Sequence, residues 1–500
     1  LVIILALLCA KIGRAQLTSR WIGGDGSWTD STNWSNGKVP TTTPTVRNNV
    51  LIAEQSDEAT LDSGEAFTIH ALNLERGTLR LENGSRLTVH SINGPQLPAD
   101  EVLIEVAGTG TQLDSMQFFD ITIGRRGQIT LEVTAGGRFA TDGYLRLGNY
   151  LPDLPASEIE DTQSKLLVSG PGSRVDISRG LIVGASGGVG ALVVENGGKV
   201  ELSGIVRENV RIGEFTGAGN RGNGSVVIQG LGSELRAPAM QIGDFGSAGD
   251  LTLKEGGRVF LYGEGPLNST TGIIRMQGGE LEALTGVRNM GVTQGWGNIK
   301  ADLANFGDLL AGAREPLTIQ GDFEQLSSGD VAFSLAEGST LVTKLTVAGQ
   351  AKLAGTLSIN LVDGFEPPVG TIHHVMDYAS REGKFSKVNT AFGTNGLVML
   401  PIYSNQGIDL FSVLSGDANF DQSVGLTDFG ILKAGFGRAG TWTTGDFDHN
   451  EMVDLSDFGL LKHAFGNTAR SVPEPPTWLL MLVGLIASRL AHKRCSLTVA

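Results

Sequence analysis

Cysteine is nearly absent from this chain. Only two occur in 500 residues, Cys9 and Cys495. Both fall at the chain's extremes, so the long stretch between them has no disulfide framework. Leu8 before Cys9 is not the small residue that precedes a lipidated cysteine, which makes Cys9 part of an apolar run. Aromatic residues are scarce at 6% and charged residues at 18%, which disfavours a helical enzyme core. Basic clusters are missing from the body, and the formal charge is −15. Setting aside the five cations Lys11, Arg14, Arg489, Lys493 and Arg494 of the terminal segments moves it to −20. An acidic chain without a basic face excludes nucleic acid as the expected partner and suits a calcium-containing exterior. No phosphate-cradling loop or Cys-His pattern occurs.

Glycine is what the chain has in excess, 71 residues, about twice ordinary usage. The glycines are periodic. Val106-Ala107-Gly108-Thr109-Gly110-Thr111 recurs as Val168-Ser169-Gly170-Pro171-Gly172-Ser173 and as Ile228-Gln229-Gly230-Leu231-Gly232-Ser233. Within each unit an apolar-Gly step follows (Ile123-Gly124, Val183-Gly184, Ile242-Gly243), then a Gly-Gly pair (Gly136-Gly137, Gly197-Gly198, Gly256-Gly257). Alternating apolar residues flank the pairs. Period two between glycine turns means strands half buried against one core, and a repeat of this length means stacked coils. With about 20 residues per turn, each unit is expected to be three turns. The expected fold is mainly β: a Gly-rich parallel β-helix or solenoid, then a small α-helical calcium module, then a C-terminal hydrophobic helix.

The calcium module is read from two tandem loops. Oxygen-bearing residues recur at positions 1, 3, 5, 7, 9 and 12 of twelve, the arrangement a hard divalent cation requires. In the first loop positions 1, 3, 5 and 12 are Asp417, Asn419, Asp421 and Asp428, with Ser423 offering its carbonyl at 7 and Gly425 at 9. In the second they are Asp446, Asp448, Asn450 and Asp457, with the Met452 carbonyl and Asp454. Position 6, normally Gly, is Gln422 and Glu451, where a positive φ disfavours a side chain. Val424 and Val453 are expected to pair through a short strand contact. Phe429, Leu432 and Phe436, like Phe458, Leu461 and Phe465, are spaced to form one apolar helical face. The pair resembles the dockerin type I module. That resemblance implies Ca2+ on the residues just named, and a cohesin-like partner contacted by Leu426, Thr427, Leu455 and Ser456.

The two ends read as targeting signals. An apolar run over 1–10 and Gly13-Arg14-Ala15 give a secretory signal with cleavage before Gln16, and the sequence is expected to begin inside that signal. Pro473-Glu474-Pro475, an apolar stretch over 478–487 and a basic tail resemble the PEP-CTERM sorting signal. The resemblance implies processing by an exosortase, with the membrane contacted through the C-terminal helix beforehand. Trp21, Trp28 and Trp34 suggest an N-terminal cap rather than a sugar-stacking platform. The body, and its opening Trp21-Ile22-Gly23-Gly24-Asp25-Gly26-Ser27-Trp28, resemble bacterial autotransporter-like and PEP-CTERM β-solenoid proteins.

The expected organisation is therefore a signal peptide at 1–15, a cap at 16–60 and solenoid repeats at 61–396. Cap strands at 397–414, the paired loops at 415–467 and the sorting signal at 472–494 complete it. The functional expectation is an exported, envelope-associated structural or adhesive protein that contacts extracellular polysaccharide or a cohesin-like protein. The alternative is a polysaccharide-degrading lyase or glycoside hydrolase, for which two facing carboxylates would suffice. Sequence leans against it. The acidic insertion Asn149 to Ser164, with Asp153, Glu158, Glu160 and Asp161, reads as solvated. The His373-His374 pair reads as two strand residues facing opposite ways.

Overall fold

The computed structural model describes residues 15–469, apart from 44–45, 96–99, 117–119, 125–126, 150–162, 205–209, 217–219, 313–314, 337–343 and 391–395. The expected signal peptide, most of the acidic insertion and the sorting signal with Pro473, Glu474 and Pro475 lie outside the described residues. Among the described residues no helix is long and apolar enough to cross a membrane. The chain divides into two compact units. One gathers residues 1–365, 373–389 and 402–409; the other gathers 366–372, 390–401 and 410–500.

The first unit is a parallel β-solenoid. Gly77–Leu81, Glu101–Ala107, Gln128–Thr134, Gln163–Ser169, Val189–Glu195, Asn223–Gln229 and Ala248–Lys254 stack as one face, each paired in parallel with the next. Arg86–Val89, Gln112–Ser115, Arg138–Thr141, Arg174–Ile177 and Lys199–Leu202 stack as a second. Ile121–Ile123, Tyr144–Asn149, Gly180–Ala185 and Val210–Ile212 form a third. Parallel pairing already holds near the start, between Ala15–Arg20 and Val46–Ile52. Alternate residues point inward, so Ile104 and Val106 stack on Leu131 and Val133, then on Leu166 and Val168. Each such buried side chain contributes about 1.5–3 kcal/mol.

The coil length corrects the sequence expectation. Partners along the first face are Val106, Val133, Val168, Val194, Ile228 and Leu253, which are 27, 35, 26, 34 and 25 residues apart. The repeat of about 60 residues is thus two coils of unequal length, not three of about 20. Gly-x-Gly and Gly-Gly mark the same corner on successive coils. They also lock together. The amide of Gly136 donates to the Ser173 hydroxyl at 3.0 Å, as Gly197 does to Ser233 and Gly84 to Thr111. This explains why each Gly-x-Gly motif ends in Ser or Thr, buried in all three cases. Gly184 shows why the apolar-Gly step needs glycine: its φ is 72°, and a Cβ there would strike the backbone of Asn223.

Two further features come from the coil stack. Arg138 bridges Asp114 and Asp176, and Arg258 bridges Glu234, Glu280 and Glu282, so ion pairs tie neighbouring coils together. Inside, an amide ladder runs through successive coils. Asn268 donates to Asn289 at 2.6 Å, Asn289 to Asn305 at 2.7 Å, and Asn305 to Gln325 at 2.8 Å. All four are almost fully buried. The tryptophans near the start are core: Trp34 packs edge-on against Trp21 and Trp28 at 4.9 and 4.7 Å. All three are buried, so their faces are closed to a sugar ring.

The second unit holds two helices, α1 (Leu426–Gly435) and α2 (Leu455–Ala464). One apolar cluster joins Val398, Leu400, Val413 and Leu414 to Val424, Leu432, Trp442, Val453 and Leu461. Residues from the expected cap strands thus share a core with the paired loops.

Candidate metal centre

Each helix starts from a loop whose acidic side chains fold the backbone around themselves. Asp417 accepts the amides of Asp421 (3.2 Å) and Gln422 (2.8 Å); Asp446 accepts those of Asn450 and Glu451, both at 3.1 Å. Asn419 accepts the Asp421 amide at 3.0 Å, and Asp448 the Asn450 amide at 3.1 Å. At position 12, Asp428 accepts the amides of Ala418 and Gly425, both at 2.9 Å. Asp457 takes Phe447 at 2.6 Å and Asp454 at 2.8 Å. The closing carboxylate therefore also caps its helix, satisfying an amide that the helix leaves open.

The two loops share these bonds at positions 1, 3 and 12, and the second adds one from the Asp448 amide to Asp457 at 3.2 Å. Positions 1 and 12 are buried: Asp417 and Asp428 are each 1% exposed, Asp446 3% and Asp457 0%. Positions 3 and 5 are more open, with Asn419, Asp421 and Asn450 exposed and Asp448 half-buried. Ser423 is half-buried and Met452 exposed, each on the outward rim of its loop. Carboxylate oxygens of Asp446, Asp448 and Asp457 all lie within 4.8 Å of one another.

The electrostatics are unfavourable without a cation. None of the four buried carboxylates meets a Lys, Arg or His among the described residues. Burial, joined by the charge of Asp457, pushes the Asp446 carboxyl up to about 6. Burial also raises Asp457, and burial with the Asp428 and Asp421 charges raises Asp417, against the amide bonds that lower it. Asp421 goes the other way, lowered by the Ser423 hydroxyl and Asn419. Buried like charges persist only when something compensates them. Two clusters of hard oxygen donors with no protein cation are the donor chemistry that Ca2+ takes.

No family model matches the chain, and no curated protein matches it.

The structure amends several expectations about the loops. Gln422 and Glu451 do adopt positive φ, 69° and 68°, and so do Phe420 and His449 at position 4, 60° and 61°. Val424 and Val453 do not pair with each other. Val424 bonds to Gly466 and Asn467 after α2, while Val453 bonds to Gly437 and Arg438 after α1. Each loop's short strand is thus occupied by the segment following the other helix. The apolar helical faces are split. Leu432 and Leu461 are buried, but Phe429, Phe436, Phe458 and Phe465 are 36–49% exposed. Phe436 and Phe465 lie just past the helix ends, off the helical repeat. Leu426, Thr427, Leu455 and Ser456 are all exposed at the helix starts.

Trp442 and the partners of His374 escaped the sequence reading. Trp442 lies between the loops, stacked on His449 at 5.7 Å, edge-on to Phe447 at 5.1 Å, and donating its Nε1–H to the Asp417 carbonyl at 2.7 Å. It ties loop two to the first residue of loop one. A lone Trp between two repeats was the available signal. In the solenoid unit, His374 bonds Asp409 through Nδ1 (2.7 Å) and Asp377 through Nε2 (2.6 Å), with Lys344 on Asp377 at 2.8 Å. Burial opposes its charge, but the two carboxylates outweigh burial and raise its pKa. With both ring nitrogens so engaged, His374 bridges two carboxylates.

Proposed function

We propose that this is an exported, envelope-associated structural or adhesive β-solenoid protein. It carries a calcium-binding, dockerin-like loop pair and an exosortase-type sorting signal at 472–494. The observation that carries the reading is the duplicated loop, with buried carboxylates at positions 1 and 12 and no Lys, Arg or His bonded to them among the described residues. Ca2+ would be held by Asp417, Asn419, Asp421, the Ser423 carbonyl and Asp428, and by Asp446, Asp448, Asn450, the Met452 carbonyl and Asp457. Bound there, it supplies charge compensation for a folded module. The exposed Leu426, Thr427, Leu455 and Ser456 then form the face offered to a cohesin-like partner. The solenoid supplies a regular surface tied by ion pairs between coils, suited to display or adhesion.

Calorimetric titration of the full chain with CaCl2, before and after chelation, tests the reading. Asp417→Ala and Asp446→Ala are each expected to remove one binding event. Screening polysaccharides for released reducing or unsaturated ends tests the rest: turnover would replace the adhesive reading with an enzymatic one.

A further inference from the structure

Tryptophan serves two purposes in this chain. Among the described residues Trp21, Trp28, Trp34 and Trp442 are buried in cores. Trp296 alone is half-buried. It lies in strand Val292–Lys300 between Gly295 and Gly297, both at positive φ (109° and 136°), beside a register shift between Gln277 and Gly279. A Cβ on Gly278 would collide with the indole ring carbons, and one on Gly312 would fall 2.7 Å from the Trp296 Cβ. Two glycines therefore seat a large ring on the outside of the coil. No acceptor meets its Nε1–H among the described residues.

The indole walls a cavity of about 340 Å³, within the usual range of roughly 300–1,000 Å³ for ligand sites. The cavity follows the stack. Arg275, Gln294, Leu310 and Ala332 are successive register partners on four neighbouring strands. At about 4.8 Å per spacing they make a strip of roughly 14 Å across the coils. Leu310 and Ala332 contribute apolar lining, and Gln277 and Gln294 contribute amides. The one charged lining group, Arg275, is neutralised by Asp250 at 2.8 Å.

These features select one ligand chemistry. A half-buried indole lining a groove suits the C–H face of a pyranose ring, and neighbouring amides suit its hydroxyls. A charge-balanced wall gives an anion no anchor, and a strip across several coils suits a chain rather than a single sugar. We propose that Trp296 and the Arg275–Gln294–Leu310–Ala332 strip bind a neutral polysaccharide. The site gives the adhesive reading a location and rests on that reading for its setting.

Affinity gel electrophoresis of the full chain tests it, with chelator present so that calcium plays no part. The gels contain hydroxyethyl cellulose, dextran, galactomannan or the acidic polymer alginate. Expected is retardation by at least one neutral polymer, weakened about tenfold or more in Trp296→Ala and less in Trp296→Phe. Circular dichroism reports the fold. If Trp296→Ala does not fold, Trp296→Phe and Gln294→Ala carry the comparison. Equal retardation of wild type and variants by a neutral polymer overturns this site while the adhesive reading stands. So does retardation by alginate alone. Retardation by no polymer overturns the site and leaves the calcium module to its own titration. Retardation accompanied by polymer cleavage supports the site and overturns the adhesive reading.

Discussion

Replacing Asp446 by Asn should make the loop module more stable without calcium and less stable with it. Asp446 is 3% exposed, and its carboxyl is pushed from 3.8 up to about 6 by burial and by Asp457. At about 1.4 kcal/mol per unit, keeping it ionised at pH 7 costs on the order of 3 kcal/mol. Asn removes that charge but turns an amide donor toward one of the backbone amides of Asn450 and Glu451 that Asp446 accepts. Losing one such bond costs about 1–2 kcal/mol. The net gain for Asp446→Asn in chelator is therefore about 1–2 kcal/mol at pH 7. The sign follows from a raised folded pKa: ionisation destabilises the fold as pH rises from about 4 to about 6. The charge cost thus disappears below about pH 4, leaving the variant less stable than wild type by the lost amide bond, and the net gain is complete above about pH 6. Urea unfolding of the full chain, with hydrogen exchange read on peptides from 410–469, provides the assay. In saturating calcium the order should invert. A variant less stable than wild type in chelator at pH 7, with unchanged calcium binding, would refute the reasoning.

Three further outcomes follow from other residues. Gln422→Gly relieves a φ of 69° at an exposed position and should stabilise the apo loop by about 0.5–1 kcal/mol in the same exchange assay. Asn289→Ala removes the middle of the amide ladder, leaving Asn268 and Asn305 with unmet buried groups; a loss of about 3 kcal/mol or more is expected in urea unfolding. His374→Gln should flatten the pH dependence of stability near neutrality. The raised pKa of His374 means its contribution is full in acid and lost as pH rises through that pKa, measurable by thermal unfolding between pH 5 and about 9.

The solenoid was legible because its corners repeat: backbone geometry demands glycine there, and alternation between glycines reports inward and outward faces. Coil length was not legible, since Gly-x-Gly and Gly-Gly looked like different places in one unit yet occupy one corner of successive coils. The amide ladder was hidden for a related reason. Asn268, Asn289, Asn305 and Gln325 are separated by 21, 16 and 20 residues, and unequal coils erase any fixed spacing. The loops were legible because twelve consecutive residues carry nearly all the oxygen donors. Their surroundings were not. Trp442 reaches Asp417 across 25 residues, and Val424 and Val453 pair with segments beyond the opposite helices. His374 depends on Asp409, 35 residues away, and only the paired strands bring them together.

Calcium calorimetry on the intact chain tests the central claim most directly. Two binding events are predicted, one lost in Asp417→Ala and the other in Asp446→Ala, both abolished by chelator, the Asp446 event weakening as pH falls below about 6. The absence of any calcium heat from the intact chain at pH 7 would contradict it.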